Sequence, residues 1–384
     1  MLVGAGHAHV EVLRAFGLAP VPGLRLTLIT REVATPYSGM LPAHIAGHCT
    51  ADEMRIDTRP LARFAGARLI QDEAMGLDLA GRRVLCRGGP PVAYDILSLN
   101  IGSRPNTAAV PGAAEHALPV KPLDGFLPRF EALRARILAG RSRRILLVGA
   151  GAGGVELLLA AEHRLRTELA AAGGDPASLA FTLIGAGPEI LAGFPAAFRA
   201  RFRAILAARG IAVETGARVI AVEAEGVTLA GTPPRRLPAD EVLWTTEAAP
   251  AAWLAETGLR LDPQGFVRVD AMLRATGQED VFAAGDTIAF DPGPIPRSGV
   301  YAVRAGAVLA DNIRALATGG ELRPFQPQRD ALYLVSTGPR QAVGTRNGWV
   351  ASGGWVWWLK DRIDRRFLRR FRDLPAPPGG LSAG

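Results

Sequence analysis

Residues Arg144 to Glu156 read RILLVGAGAGGVE, and the fold is decided there. Ile145, Leu146, Leu147 and Val148 are apolar at successive positions, so both faces of their strand are covered, as inside a parallel sheet. Gly149, Gly151 and Gly154 follow in the G-x-G-x-x-G spacing, with Gly153 and Glu156 beside them, and a helical pattern runs from Val155 to Ala171. The first glycine makes a tight turn, the second lets backbone approach a pyrophosphate, and the third lets the helix pack close to the strand. The helix N-terminus then offers free N–H groups and the positive end of its dipole to the anion. A strand before the glycines and a helix after them favour a dinucleotide site over a glycine-rich turn of no special role.

Working outward, GAGHAH at Gly4–His9 is a second, similar fingerprint, and VFAAGD at Val281–Asp286 lies far downstream. One nucleotide-binding domain is therefore inserted in another. The class is α/β: two Rossmann-like three-layer (ββα sandwich) domains and a C-terminal helical tail. The outer domain takes residues 1–119 and 259–325, the inserted one 120–258, and residues 326–384 form a C-terminal region with a basic amphipathic helix. A length of 384 residues suits two domains.

The formal charge is +8. Lys121 and Lys360 are the only lysines, so 42 of the 44 basic residues are arginine, which looks like genome-wide composition rather than a nucleic-acid surface. No nucleic-acid module is recognisable. Cys49 and Cys86 are too far apart for a C-x-x-C or C-x4-C pair. His44 and His48 stand at i and i+4, but no further ligand completes a metal site, and none is expected. No signal peptide is expected, and no apolar run is long enough to span a membrane.

Before Gly4 only three residues remain for the first strand, which is abnormally short against the usual 5–6 or so. Further strands are read at Leu24–Thr30, Arg68–Gln71, Arg83–Cys86, Tyr94–Leu99, Phe181–Ile184, Glu241–Thr245 and Val267–Val269. The second strand ends in Arg31 and Glu32. Glu32 is either the acid that binds an adenine ribose or a solvated loop charge. At the end of Phe181–Ile184 there is neither an acid nor an arginine, so NADH and NADPH are not distinguished; Glu189 comes four residues late.

GAGHAH, YDILSLNIGSRP (Tyr94–Pro105), GAGAGGVE and VFAAGD, in that order, resemble the pyridine nucleotide–disulfide oxidoreductase superfamily of flavoproteins. YSGMLP (Tyr37–Pro42), VKPLDGF (Lys121–Phe126) and SGVYAVRAG (Ser298–Gly306) resemble a narrower group. That group is the type II NADH dehydrogenase-like proteins, especially the branch found fused to selenophosphate synthase; no synthase domain is read here.

The resemblance implies FAD in the outer domain. Gly4, Gly6 and the helix start at His7 and His9 hold its pyrophosphate. His9 stands where the superfamily has a small residue. Arg31 and Glu32 lie at the adenosine, Ala74 meets adenine, Gly102 borders the cofactor, and Asp286 accepts from the ribityl chain. Gly299 and Val300 start a helix under the flavin pyrimidine, and Pro42 lines the flavin's other side. NAD(P)H, the co-substrate, lies on Gly149, Gly151, Gly153, Gly154 and Glu156. Lys121, Glu156 and Pro42 are the candidate catalytic residues. Lys121 is either an ammonium stabilising reduced flavin or a plain interdomain lysine.

Departures from the superfamily narrow the chemistry. Residues 38–44 hold no cysteine pair, so disulfide reduction is not expected, and the cysteine positions argue against sulfide:quinone chemistry. Direct transfer from NAD(P)H to a quinone or other small acceptor remains. Two alternatives stay open: a redox-responsive flavoprotein without turnover, linked to selenium metabolism, and a soluble reductase of a protein partner.

The tail, WVWWLKDRIDRRFLRRFR at Trp355–Arg372, places Val356, Leu359, Ile363, Phe367 and Phe371 on one helical stripe. Seven basic residues against three acidic ones give +4 over 355–373. The stripe either lies in a membrane interface or packs on the flavin domain. The expected location is cytoplasmic, peripheral at the inner face of the cell membrane through 355–372. Pro375–Gly384 reads as a disordered end. The oligomeric state, a homodimer included, is left open.

Overall fold

The computed structural model describes residues 1–246, 248–328 and 330–375. The first strand, β1, is Leu2–Val3. β2 (Thr27–Thr30), β3 (Arg68–Gln71) and β4 (Leu97–Leu99) follow it in the chain. Two residues suffice for β1 because it is central: Leu2 and Val3 pair in parallel with Leu28 and Ile29 on one side and with Ser98 and Leu99 on the other. The Met1 ammonium adds a bond to the Ile96 carbonyl at 2.7 Å.

The inserted domain is built from β5 (Ala117–Pro119), β6 (Arg144–Val148), β7 (Ala180–Ile184), β8 (Ala212–Glu214) and β9 (Glu241–Trp244). They form a parallel sheet in the order β5-β9-β6-β7-β8. β10 (Val281–Ala283) returns to the first sheet, whose order is β10-β4-β1-β2-β3. Each parallel sheet has a small antiparallel companion, at Ala74–Asp78, Arg83–Cys86 and Val92–Ala93 for the outer domain and at Val219–Glu223, Gly226–Leu229 and Arg235–Pro238 for the inserted one. These are the third layers of two ββα sandwiches.

Helices α1 (His7–Leu18), α2 (Leu41–Ile45), α3 (Leu123–Leu138), α4 (Ala152–Ala171), α5 (Ala196–Ala208) and α6 (Gly299–Thr318) cover the sheets. α1 and α6 lie close because Gly306 has no side chain: a Cβ there would sit 2.7 Å from that of Glu11. Most strand and helix bounds differ from the expected ones by one to three residues.

The C-terminal region holds what the sequence did not announce. β11 (Tyr333–Ser336), β12 (Ala342–Arg346) and β13 (Trp349–Gly353) form an antiparallel meander that leads into α7 (Gly354–Arg372). The apolar face of α7 packs on the protein, the second of the two alternatives the stripe left open. Val356, Phe367, Leu368 and Phe371 are buried, each worth about 1.5–3 kcal/mol. The buried face runs 356-360-364-367-371, so it carries Lys360 and Asp364, whereas Ile363 is 43% exposed. Part of the basic charge is spent in docking. Arg370 pairs with Glu11 at 2.9 Å, Arg365 with Glu53 at 3.0 Å, and Arg372 donates to the carbonyls of Asp52, Glu53 and Arg55. No helix among the described residues is long and apolar enough to cross a membrane. The expected disordered end lies, from residue 376 onward, outside the described residues.

Candidate active site

Both glycine loops open onto one cleft of about 1490 Å³. Gly4, Gly6 and His7 wall it at one end; Gly151, Gly153, Gly154 and Glu156 wall it at the other.

The two loops are built differently. In the first, Gly4 has φ +85° and a Cβ there would lie 2.5 Å from the Asn100 carbonyl oxygen; at Gly6 it would lie 2.1 Å from Asn100 Oδ1. Both glycines are therefore required by Asn100. Its Oδ1 accepts from the N–H of Ala8 (3.1 Å) and His9 (3.4 Å), and its Nδ2 donates to the Ala284 carbonyl (2.7 Å). One buried amide thus joins the first fingerprint, the end of β4 and the VFAAGD segment. In the second loop, Gly149 (φ +122°) and Gly154 serve packing: Cβ atoms there would fall 2.3 Å from Thr245 Oγ1 and on the Gly149 carbonyl oxygen. Gly151 and Gly153 have nothing within 4 Å of a Cβ position and face open cleft. Gly102 (φ +74°) is open in the same way.

His9 and Gly149 do not line the cleft. The His9 ring lies behind the loop; its Nδ1 donates to the Gly4 carbonyl at 2.6 Å, and its Nε2 accepts from Ser98 Oγ at 2.8 Å. Burial drives its pKa down to about 3. His9 is thus a strut for the loop, because a small residue there would leave Ser98 and the Gly4 carbonyl without that bridge.

His7 does line the cleft. Burial takes its pKa down to about 4, against the pull of Asp286, so the ring is neutral. Its Nε2 is buried without a protein partner, and so is Ser298 Oγ, also at the cleft wall. Gly299 and Val300, at the N-terminus of α6, stand beside them; a Cβ on Gly299 would be 3.7 Å from the His7 ring.

Asp286 accepts at Oδ2 from Lys121 Nζ (2.7 Å) and Ser103 Oγ (3.3 Å), and neither bond uses Oδ1. Burial pushes its carboxyl up, but the Lys121 ammonium outweighs that and holds it below the usual range. Arg31 pairs with Glu32 (2.7 Å) and reaches across to Asp124 of the inserted domain (2.9 Å). Burial and the neighbouring Asp124 carboxyl raise Glu32 to about 7. Ala74 and Pro42 also line the cleft.

At the opposite wall, Glu156 accepts from the Ser336 N–H at 2.6 Å, and burial raises its pKa. Lys360 Nζ lies 3.9 Å from Glu156 and donates to Asp364 Oδ2 and the Gly39 carbonyl, both at 2.8 Å. The Tyr37 hydroxyl donates to Asp364 Oδ1 at 3.0 Å. Asn100, Tyr37, Lys360 and Asp364 were not singled out as site residues from sequence. Lys360 was signalled as the second lysine of an arginine-rich chain, and Tyr37 and Asn100 stand inside the YSGMLP and YDILSLNIGSRP motifs. Neither cysteine is among the cleft's lining residues, and no metal-ligand group of three appears among the described residues.

The family model described as pyridine nucleotide-disulphide oxidoreductase matches residues 1–306. A demethylphylloquinone reductase of Synechocystis is 29% identical over 71% of this chain and 68% of its own length. A type II NADH:quinone oxidoreductase of Staphylococcus epidermidis is 24% identical over 96% of this chain and 94% of its own. The sulfide:quinone oxidoreductase structure from Aquifex aeolicus superimposes with TM-score 0.82 at 18% identity, covering 98% of this chain and 92% of that one, a likeness of fold.

Proposed function

The chain belongs to the pyridine nucleotide-disulphide oxidoreductase family, and from that premise we propose that it is an FAD-dependent oxidoreductase taking hydride from NAD(P)H and passing the electrons directly to a quinone-type acceptor. The observation that carries this reading is a single cleft walled by both glycine loops and by no cysteine. The names of the Synechocystis and Staphylococcus relatives support a quinone as acceptor.

The residues fit the cofactor. Two buried polar atoms, His7 Nε2 and Ser298 Oγ, lack protein partners at the wall, and Asp286 Oδ1 is free of protein hydrogen bonds. Gly4 and Gly6 would hold the pyrophosphate at the start of α1, Arg31 and Glu32 the adenosine ribose, and Ala74 the adenine. Asp286, kept ionised by Lys121, would accept from a ribityl hydroxyl. The N-terminus of α6 at Gly299 and Val300 favours negative charge on the ring system. Pro42 bounds the opposite side. FAD, when bound, supplies the two-electron relay between donor and acceptor. Gly151 and Gly153 leave backbone open to the dinucleotide's phosphates. Glu156 can hold a proton at the wall it shares with the dinucleotide loop, and Lys360 offers an N–H there.

YSGMLP and SGVYAVRAG supply Tyr37, Pro42, Gly299 and Val300 to this cleft, which supports the narrower kinship with the branch fused to selenophosphate synthase. For the membrane, the docked stripe is replaced by another surface. Trp349, Trp355 and Trp358 are exposed, the last with Arg362 over its ring at 5.4 Å. Ile363, Leu332 and Val300 are exposed and also line the cleft, giving it an apolar mouth. Exposed tryptophans with a basic neighbour, and an apolar cleft mouth, suit a membrane interface from which a lipid-soluble quinone enters.

The test is an anaerobic absorbance titration of the FAD-loaded protein. NADH or NADPH bleaches the visible flavin band and menadione restores it; a band that neither nucleotide bleaches refutes the proposal. Replacing the three tryptophans by serine lowers cosedimentation with anionic vesicles roughly tenfold, and unchanged binding removes the membrane surface from the reading.

A further inference from the structure

The chain crosses between its domains at Lys121–Asp124, and that segment is pinned to the outer domain at two points. Lys121 Nζ holds Asp286 at 2.7 Å. Asp124, in the first turn of α3, accepts from Arg31 Nη2 at 2.9 Å. Residues 120–124 line the cleft without a break, and Arg31, Glu32 and Ala74 line it as well.

The second contact differs from an ordinary ion pair. A guanidinium and one carboxylate settle as a fork of two parallel N–H···O bonds. Arg31 instead divides one nitrogen, Nη2, between two acids, Glu32 Oε1 at 2.7 Å and Asp124 Oδ2 at 2.9 Å. Asp124 Oδ1 is buried and accepts no hydrogen bond among the described residues, and Glu32 Oε2 accepts none there either. Each acid thus keeps an oxygen that the protein does not serve. A carboxylate oxygen left so costs stability, and the pair calls for two further donors held close together. A vicinal diol supplies them, one hydroxyl for each acid. A phosphorylated ribose would bring negative charge against both carboxylates and is disfavoured.

Resting on the FAD reading above, we propose that Asp124 binds the adenosine ribose of FAD together with Glu32, so that a side chain of each domain grips the cofactor. Arg31 is the positioning residue: it draws the two carboxylates to one spot and offsets their charge. The crossing segment then spans the cofactor, with Lys121 acting through Asp286 at the ribityl end and Asp124 at the adenosine end. The inserted domain, which receives NAD(P)H, thereby also takes part in holding FAD.

The experiment measures flavin binding to the full-length apoprotein by fluorescence titration at pH 8, where Glu32, raised to about 7, is ionised. The ligands are FAD and its 2′,3′-dideoxyadenosine analogue, which keeps the flavin, pyrophosphate and adenine and lacks only the diol. Wild type prefers FAD to the analogue roughly 100-fold. Asp124→Ala binds FAD roughly 10- to 30-fold more weakly than wild type but binds the analogue within about twofold of it, so the preference shrinks by the same factor. Asp124→Asn, which keeps the shape and loses the charge, lies between. Should Asp124→Ala show no cooperative thermal melt, the preference of Asp124→Asn decides, and an unchanged value overturns the proposal. A variant that weakens both ligands equally shows that Asp124 only holds α3 in place, which also overturns it. So does a wild-type preference below about threefold. Wild type that binds neither ligand overturns the FAD reading itself.

Discussion

The two walls of the cleft each hold one of the chain's two lysines, and the contrast between them divides the chemistry. Lys121, about 40% exposed, answers one carboxylate, Asp286, which Ser103 also supports. Lys360, almost fully buried, stands between two, Asp364 and Glu156. The first arrangement is charge-balanced and holds a fixed anion. The second carries one acid in excess and can store a proton. The chain uses arginine nearly everywhere else and lysine only at these two places.

The comparison breaks most visibly at Lys360. Lys360→Met leaves Asp364 buried without its charge partner, so the fold loses about 3 kcal/mol and menadione reoxidation falls roughly 10³-fold, while NADH still bleaches the flavin. Thermal melts and stopped flow read both; equal loss in the two half-reactions would erase the division of the walls. Lys121→Met is milder because its partner keeps Ser103. FAD affinity falls about tenfold by fluorescence titration, and Lys121→Arg recovers less than half of that in free energy. If the arginine variant binds FAD as wild type does and leaves the flavin potential unchanged, Lys121 is an interdomain ion pair and nothing more.

The smallest effect is a difference in pH response. His7 titrates near 4 in the folded protein, below its unfolded value of about 6.5. The unfolded state therefore takes up more protons, and the ring costs stability as pH falls from about 6.5 toward 4 but is neutral above that window. His7 stays neutral through pH 6 to 8, so it adds no pH dependence to bleaching by NADH in that range. Glu156, raised by burial, gives the acceptor step a fall with rising pH. Parallel pH profiles would merge the walls again.

Sequence periodicity read the parallel sheets well, because their strands are continuous apolar runs and their glycines carry fixed turns. It missed Lys360 and Asp364 for a definite reason. A helical stripe is found from apolar residues, and Leu359 and Ile363 completed one more plausibly than two charges did. The buried face is rotated to take the charges instead, and they are tolerated because they satisfy each other. Asn100 escaped for a related reason: an amide at a strand end looks like a turn residue until its bonds to Ala8, His9 and Ala284 are seen. His9 was assigned to the cofactor because the fingerprint places it at the third small position, but its ring turns behind the loop. The meander at β11–β13 consists of short strands with mixed faces, which leave little period-two signal.

The central claim is that electrons cross this cleft through the flavin alone, with Cys49 and Cys86 outside the path. The direct measurement is the reducing stoichiometry in an anaerobic NADH titration of the FAD-loaded protein. Complete bleaching at about one equivalent of NADH per flavin is the expected result. A requirement for about two equivalents, lost when both cysteines are replaced by serine, would place a redox-active thiol pair in the path and contradict the account.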